Sequence, residues 1–378
     1  MSSPHSRKQP IDFRKEDVGY VMQRWRAGDS CALIGVGSVG KSNLLQHLSD
    51  PEVQQSYMNI TGTDEFKAII IDPNMLGPLP KSGADMDQIR CWAGYELMMH
   101  RLFMAFYPFG MLEQDEAQRF YEAYQALQDG TNPLYAYMGL RYFELGLDFF
   151  MRRGIRIVFM FDEFEDMLKR MPPKFFQTLR GLRDANKRQM SYLTFTRAPL
   201  TTLVDRFELP KQDMEPFVEL FNDGVHYVGP YKEIDARRMI ENLMSRNQKN
   251  YSEDAIRFLM WSTGNYAGLL RSAFRVLDAL EPLDSVSVMD DEKVRQLAMR
   301  RPIREECQTL WLSLTSMEQH VLKAVAGIVK YEVNPEIERG IAMLVQKRLI
   351  RVDKKLNTLH IEPPVFRVFV GGDPDLSE

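Results

Sequence analysis

Residues 35–42 read Gly-Val-Gly-Ser-Val-Gly-Lys-Ser, which satisfies the spacing G-x-x-x-x-G-K-[ST]. In such a loop glycines let the backbone turn successive N–H groups inward toward phosphate oxygens. A lysine then reaches the β- and γ-phosphates, and a serine hydroxyl ligates Mg²⁺. The helix that starts at the loop adds the positive end of its dipole. Gly35, Gly37, Ser38, Val39, Gly40, Lys41, Ser42 and Asn43 are therefore the candidate phosphate cradle.

Phosphoryl chemistry needs two further groups at the end of a neighbouring strand: a carboxylate for the metal and a base for the attacking water. The near-continuous apolar run Ile155–Phe161 ends on Asp162-Glu163. Asp162 is expected to hold Mg²⁺ through water, and Glu163 to orient and activate the attacking water. Glu165 and Asp166, just beyond, read as ordinary polar residues in the first turn of a helix. A later strand ends on Thr196-Arg197, where Thr196 can hold the water and Arg197 can sense the γ-phosphate. A surface ion pair is the rival reading of Arg197.

These groups need a strand before the loop, a helix after it and further parallel strands. The pattern supplies them: a helix over 17–26, a short strand at 31–34, a helix from Ser42 and a buried strand at 66–72. A helix over 173–187 and a strand at 192–197 follow the acidic strand. The connection 73–153 is rich in aromatic residues and methionines at helical spacing, such as Trp92, Tyr95, Met98, Met99, Leu102 and Phe103. They read as a core-facing stripe. The expected class is α/β, a parallel sheet between helices. From residue 232 the pattern becomes helical, with segments near 232–247, 252–263, 265–280 and 291–311. A last unit holds helices at 316–328 and up to 348, then a small hairpin.

The bulk properties are those of an ordinary globular chain. Of 378 residues, 44% are hydrophobic and 26% charged, which excludes a disordered chain, and the length suggests more than one domain. A net charge of −4 gives no global basic field for nucleic acid. Cys31, Cys91 and Cys307 are odd in number and in no metal spacing, so a reducing cytoplasm is expected. No leader or membrane span is indicated.

Together these segments resemble the P-loop ATPases of the AAA+ and STAND group (signal-transduction ATPases with numerous domains), in particular compact prokaryotic ones and archaeal origin-recognition initiators. Phe13-Arg14-Lys15-Glu16 is similar to the lead-in box of that group, Phe161–Asp166 to its Walker B segment, and Thr194–Arg197 to its sensor. Tyr227–Tyr231 stands where the lid of such proteins begins. Thr263–Arg271 resembles the lid motif T-G-G-x-P-x-L-L, with Asn265 in place of the second glycine and Ala267 in place of proline. The resemblance implies a core at 13–230, a helical lid at 231–283, a linker helix at 284–310 and a winged helix at 311–371. An arm (1–12) and a tail (372–378) flank them. It also implies ATP/ADP with Mg²⁺ as ligands, with Pro230 and Arg271 as lid residues toward the nucleotide. Further implications are slow hydrolysis, a homo-oligomer in the ATP state and a separate protein effector or sensor. Arg183 and Arg206 flank the sensor strand, but neither is marked as an arginine finger.

Two classes of function remain: a nucleotide-operated switch, and an ATPase whose winged helix grips duplex DNA. Residues 308–371 carry nine basic against six acidic residues, and Glu336 and Glu338 open the helix that would meet DNA. The switch is the favoured reading. The basic cluster Lys347, Arg348, Arg351, Lys354 and Lys355 leaves backbone contact with DNA open.

Overall fold

The computed structural model describes residues 9–59, 65–132, 134–279, 288–330, 332, 334–356 and 358–372. Most of the expected arm and tail, and the 281–285 part of the expected linker, lie outside the described residues. The chain divides into two compact units.

The first comprises Met1–Ile34 and Ser42–His226. Helix α1 (Lys15–Ala27) is stopped by Gly28, whose φ of 78° is the left-handed conformation glycine tolerates. Strand β1 (Cys31–Ile34) is buried at every position, as a strand covered on both faces must be. Then come α2 (Lys41–Leu48), α3 (Pro51–Met58) and β2 (Phe66–Ile71). Three helices, α4 (Met86–Phe106), α5 (Gln114–Gln128) and α6 (Tyr135–Met151), fill the long connection. Tyr95, Met98, Met99 and Leu102 are buried there, as the stripe requires, while Trp92 and Phe103 are partly buried against the same core. Strand β3 (Arg156–Phe161) leads to α7 (Phe164–Arg170) and α8 (Pro173–Ala185). Strand β4 (Met190–Thr196), α9 (Leu200–Arg206), α10 (Lys211–Val218) and β5 (Val225–Tyr227) complete this part of the chain.

The sheet order is β2-β3-β4-β1-β5, and the β1/β4, β3/β4 and β2/β3 pairings are parallel. The acidic strand β3 is therefore not the immediate neighbour of β1, as the sequence reading assumed. β4 stands between them, so Thr196 pairs with Ile34 on one side while Thr194 pairs with Phe161 on the other. Helices α7 and α8 pack on β4, and α4 packs on β2.

The second unit comprises Gly35–Lys41 and Tyr227–Glu378. Helices α11 (Glu233–Asn247), α12 (Glu253–Thr263) and α13 (Ala267–Val276) pack on one another. The helix expected over 291–311 is two, α14 (Asp291–Ala298) and α15 (Arg301–Leu312). Pro302 sits in the first turn of α15, where its missing N–H costs nothing but where it cannot continue a preceding helix. Next come α16 (Ser316–Val325) and α17 (Pro335–Gln346), the antiparallel hairpin β6 (Ile350–Asp353) and β7 (Thr358–Ile361), and α18 (Pro364–Gly371). The helix α18 was not foreseen. Helices followed by a hairpin are consistent with the expected winged helix.

Lys347 belongs to the interior of this unit. Its Nζ lies 2.6 Å from Glu318 Oε1, and its carbonyl accepts the Tyr266 hydroxyl at 2.8 Å. It is thereby withdrawn from the basic cluster of the hairpin. Cys31, Cys91 and Cys307 are buried free thiols, and burial pushes the first two up to about 12 and about 11, which makes them poor nucleophiles. Among the described residues no helix is long and apolar enough to cross a membrane.

Candidate phosphate loop and acidic strand ends

The glycine loop leaves β1 directly after Ile34 and runs into α2 at Lys41. Ser38 has φ 61° and Gly40 φ 90°, so two left-handed residues produce the turn. Close packing within the second unit explains why glycine is required. A Cβ on Gly40 would lie 2.9 Å from the Tyr231 hydroxyl and 3.2 Å from Ala267 Cβ, and one on Gly37 would lie 2.9 Å from the Thr309 carbonyl oxygen. The Ser38 carbonyl accepts the N–H of Gly268 at 2.9 Å, and the Ser38 hydroxyl donates to Glu306 of α15. Val39 is buried, Lys41 and Asn43 are half-buried and Ser42 is exposed.

Pro230 is half-buried, and the next residue, Tyr231, donates its N–H to Asn265 O at 3.0 Å. Asn265 has φ 62°, next to Gly264 at 56°. Asparagine is among the few non-glycine residues that visit this region readily, which accounts physically for its standing where the lid motif has a glycine. Arg271 is exposed on α13.

In the first unit three strand ends carry the acidic and sensor groups. Asp162 follows β3, donates its N–H to Ile71 O at 2.9 Å, and accepts the N–H of Glu163 at 2.8 Å. Glu163 has φ 43° and caps α7 in the left-handed region, a costly conformation for a side chain of its size. Its Oε2 lies 3.1 Å from Arg197 Nη2. Thr196 is 1% exposed, and its hydroxyl donates to Ala198 O at 2.8 Å. Glu165 is not an ordinary surface residue: it is 7% exposed and accepts the backbone N–H of Arg197. Sequence reasoning missed Glu165 and Glu306. The signal for Glu165 was its place two residues after a strand-end glutamate, between Phe164 and Met167, which are both buried.

The ligands implied for such a site fit the chemistry of the donors present. A hydroxyl and a carboxylate, Ser42 and Asp162, are the hard oxygen donors Mg²⁺ prefers. A glycine turn at a helix start presents N–H groups to anions.

No family model and no curated protein matches this chain. Among solved structures it is similar to the Walker-type ATPase PABY2304 of Pyrococcus abyssi, with a TM-score of 0.50 and 16% identity over 97% of this chain and 98% of that one. It also aligns with the ORC2 protein of Aeropyrum pernix, determined as ADPNP-ADP complexes (TM-score 0.46, 12% identity, 97% and 94% covered). A third is CDC6P of Pyrobaculum aerophilum (TM-score 0.42, 13% identity, 97% and 96% covered). With a helix-flanked sheet, a glycine loop after β1 and acidic residues after β3, the chain shares the fold of that Walker-type ATPase.

Proposed function

We propose that this protein binds ATP with Mg²⁺, hydrolyses it slowly, and uses the nucleotide state to set its core and lid arrangement and its assembly with itself or a partner. The observation that carries the reading is the contact of Arg197 with Glu163 across adjacent strand ends, on the sheet whose β1 runs into the glycine loop.

In this reading the loop N–H groups and Lys41 take the phosphates, and Ser42 and Asp162 hold the magnesium ion. When bound, the ion neutralises phosphate charge. Glu163 accepts a proton from water at a carboxylate oxygen, and it is a stronger base once Arg197 releases Oε2. Arg197 then has charge to offer to a phosphate. The Thr196 hydroxyl donates its hydrogen bond to Ala198 O, so in that arrangement it would meet water as an acceptor. Pro230 and Arg271 are proposed as the lid residues toward the nucleotide. The burial of Lys347 with Glu318 leaves the basic hairpin one charge poorer, which supports the switch over DNA binding.

The test is the molar mass of Glu163→Gln in solution without nucleotide, with ADP, and with ATP and Mg²⁺, each with and without a short fluorescent duplex. Growth of the assembly with ATP alone supports the switch. Salt-sensitive duplex binding that rises with ATP would make the protein a DNA-acting ATPase instead.

A further inference from the structure

The turn after β3 sends its acidic side chains in different directions. Glu163 is partly exposed, Phe164 is fully buried in the core, and Glu165 is 7% exposed. An ionised carboxylate gains nothing from apolar surroundings and is tolerated there only when charge-assisted hydrogen bonds replace its water. Glu165 meets part of that demand by accepting, at Oε1, the N–H of Arg197, the first residue beyond β4. The next bond along the same turn, from the Thr196 hydroxyl to Ala198 O, is internal to residues 196–198. It shapes the turn but does not tie it to α7. Glu165 does, and the residue it holds is the one whose guanidinium reaches Glu163 at 3.1 Å.

We infer that Glu165 is a positioning residue: by fixing the backbone of Arg197 it aims that guanidinium at Glu163, and so sets where the candidate base stands when water arrives. The inference rests on the reading that this site hydrolyses ATP. A leucine at position 165 would keep most of the buried volume in a helix whose Phe164, Met167 and Leu168 are also buried. What an apolar residue lacks is an acceptor for the Arg197 N–H. Displacing a reacting group by about 1 Å costs about 100-fold in rate, so losing this tether should appear in turnover and not in nucleotide affinity.

Single-turnover hydrolysis and nucleotide affinity would be compared for the wild type, Glu165→Gln, Glu165→Leu, Glu165→Ala, Arg197→Ala and the double variant Glu165→Leu/Arg197→Ala. Glutamine keeps an acceptor oxygen and should hold the rate within about threefold of wild type. Leucine keeps the volume without the acceptor, and the rate should fall about 10- to 100-fold with affinity unchanged. Alanine serves if leucine does not fold, with thermal unfolding as the check. In the Arg197→Ala background the Glu165 substitution should cost nothing further, because its effect acts through that residue. Additive losses, or glutamine as damaging as leucine, would overturn the positioning role. If the wild type shows no hydrolysis that depends on Glu163, the ATPase reading itself fails. If that dependence is present but the Glu165 and Arg197 effects add, only the positioning role fails.

Discussion

Arg197 Nη2 stands 3.1 Å from Glu163 Oε2 and joins the ends of the neighbouring strands β4 and β3. The two side chains are 47% and 30% exposed, so the pair contributes at most about 1 kcal/mol to stability. A contact that weak is easily exchanged for a phosphate or a water. Arg197→Ala should therefore change stability by less than about 1 kcal/mol while lowering hydrolysis by about 10- to 1,000-fold. Thermal unfolding and single-turnover rates measure the two effects. A large stability loss with unchanged turnover would mark the pair as structural.

Lys41 carries the positive charge of the glycine loop. Replacing it with alanine removes a charge-assisted bond of about 1.5–3 kcal/mol, so nucleotide affinity should drop about 10- to 100-fold. Fluorescent-nucleotide titration reads this directly. Equal affinity in the two proteins would show that the loop is only a turn.

The Ser38 hydroxyl donates to Glu306, which sets a carboxylate beside a loop suited to anions. Like charges at such spacing repel by about 1 kcal/mol or less per pair in a watery site. Glu306→Gln should therefore bind ATP about twofold to fivefold more tightly. Weaker binding would mean that Glu306 holds the loop in its binding shape.

Much of this was legible in the sequence, because fixed residue spacing marks the loop and continuous apolar runs mark buried strands. Sheet order was not legible: β4 enters between β1 and β3 through long-range pairing that no local pattern encodes. Strand β5 escaped notice because it has three residues, none of them buried. The break between α14 and α15 is encoded locally, by Pro302 in the first turn of α15. Glu165 reads in sequence as a polar residue of a helix's first turn, and only the tertiary fold shows it buried at the end of β4 and brings Glu306 to Ser38.

At the start of α1, Asp17 faces His226 at 2.7 Å and Arg14 at 2.7 Å. Burial alone would raise its pKa, but the His226 hydrogen bond and the Arg14 guanidinium outweigh burial and hold it below the usual carboxylate range. A carboxylate depressed by folding contributes stability above its unfolded pKa, near 3.9. That contribution is lost as pH falls through the folded value. Asp17→Asn should cost about 1–3 kcal/mol at pH 7, and the difference from wild type should shrink below about pH 4. Denaturant unfolding across that range checks the sign: a gap that widens in acid contradicts it.

The central claim is that the chain hydrolyses ATP with Glu163 as the base. Its most direct test is single-turnover hydrolysis by wild type and Glu163→Gln at matched nucleotide saturation. The account predicts that both bind ATP with similar affinity and that the variant is slower by about 100-fold or more. Equal rates in the two proteins would contradict it.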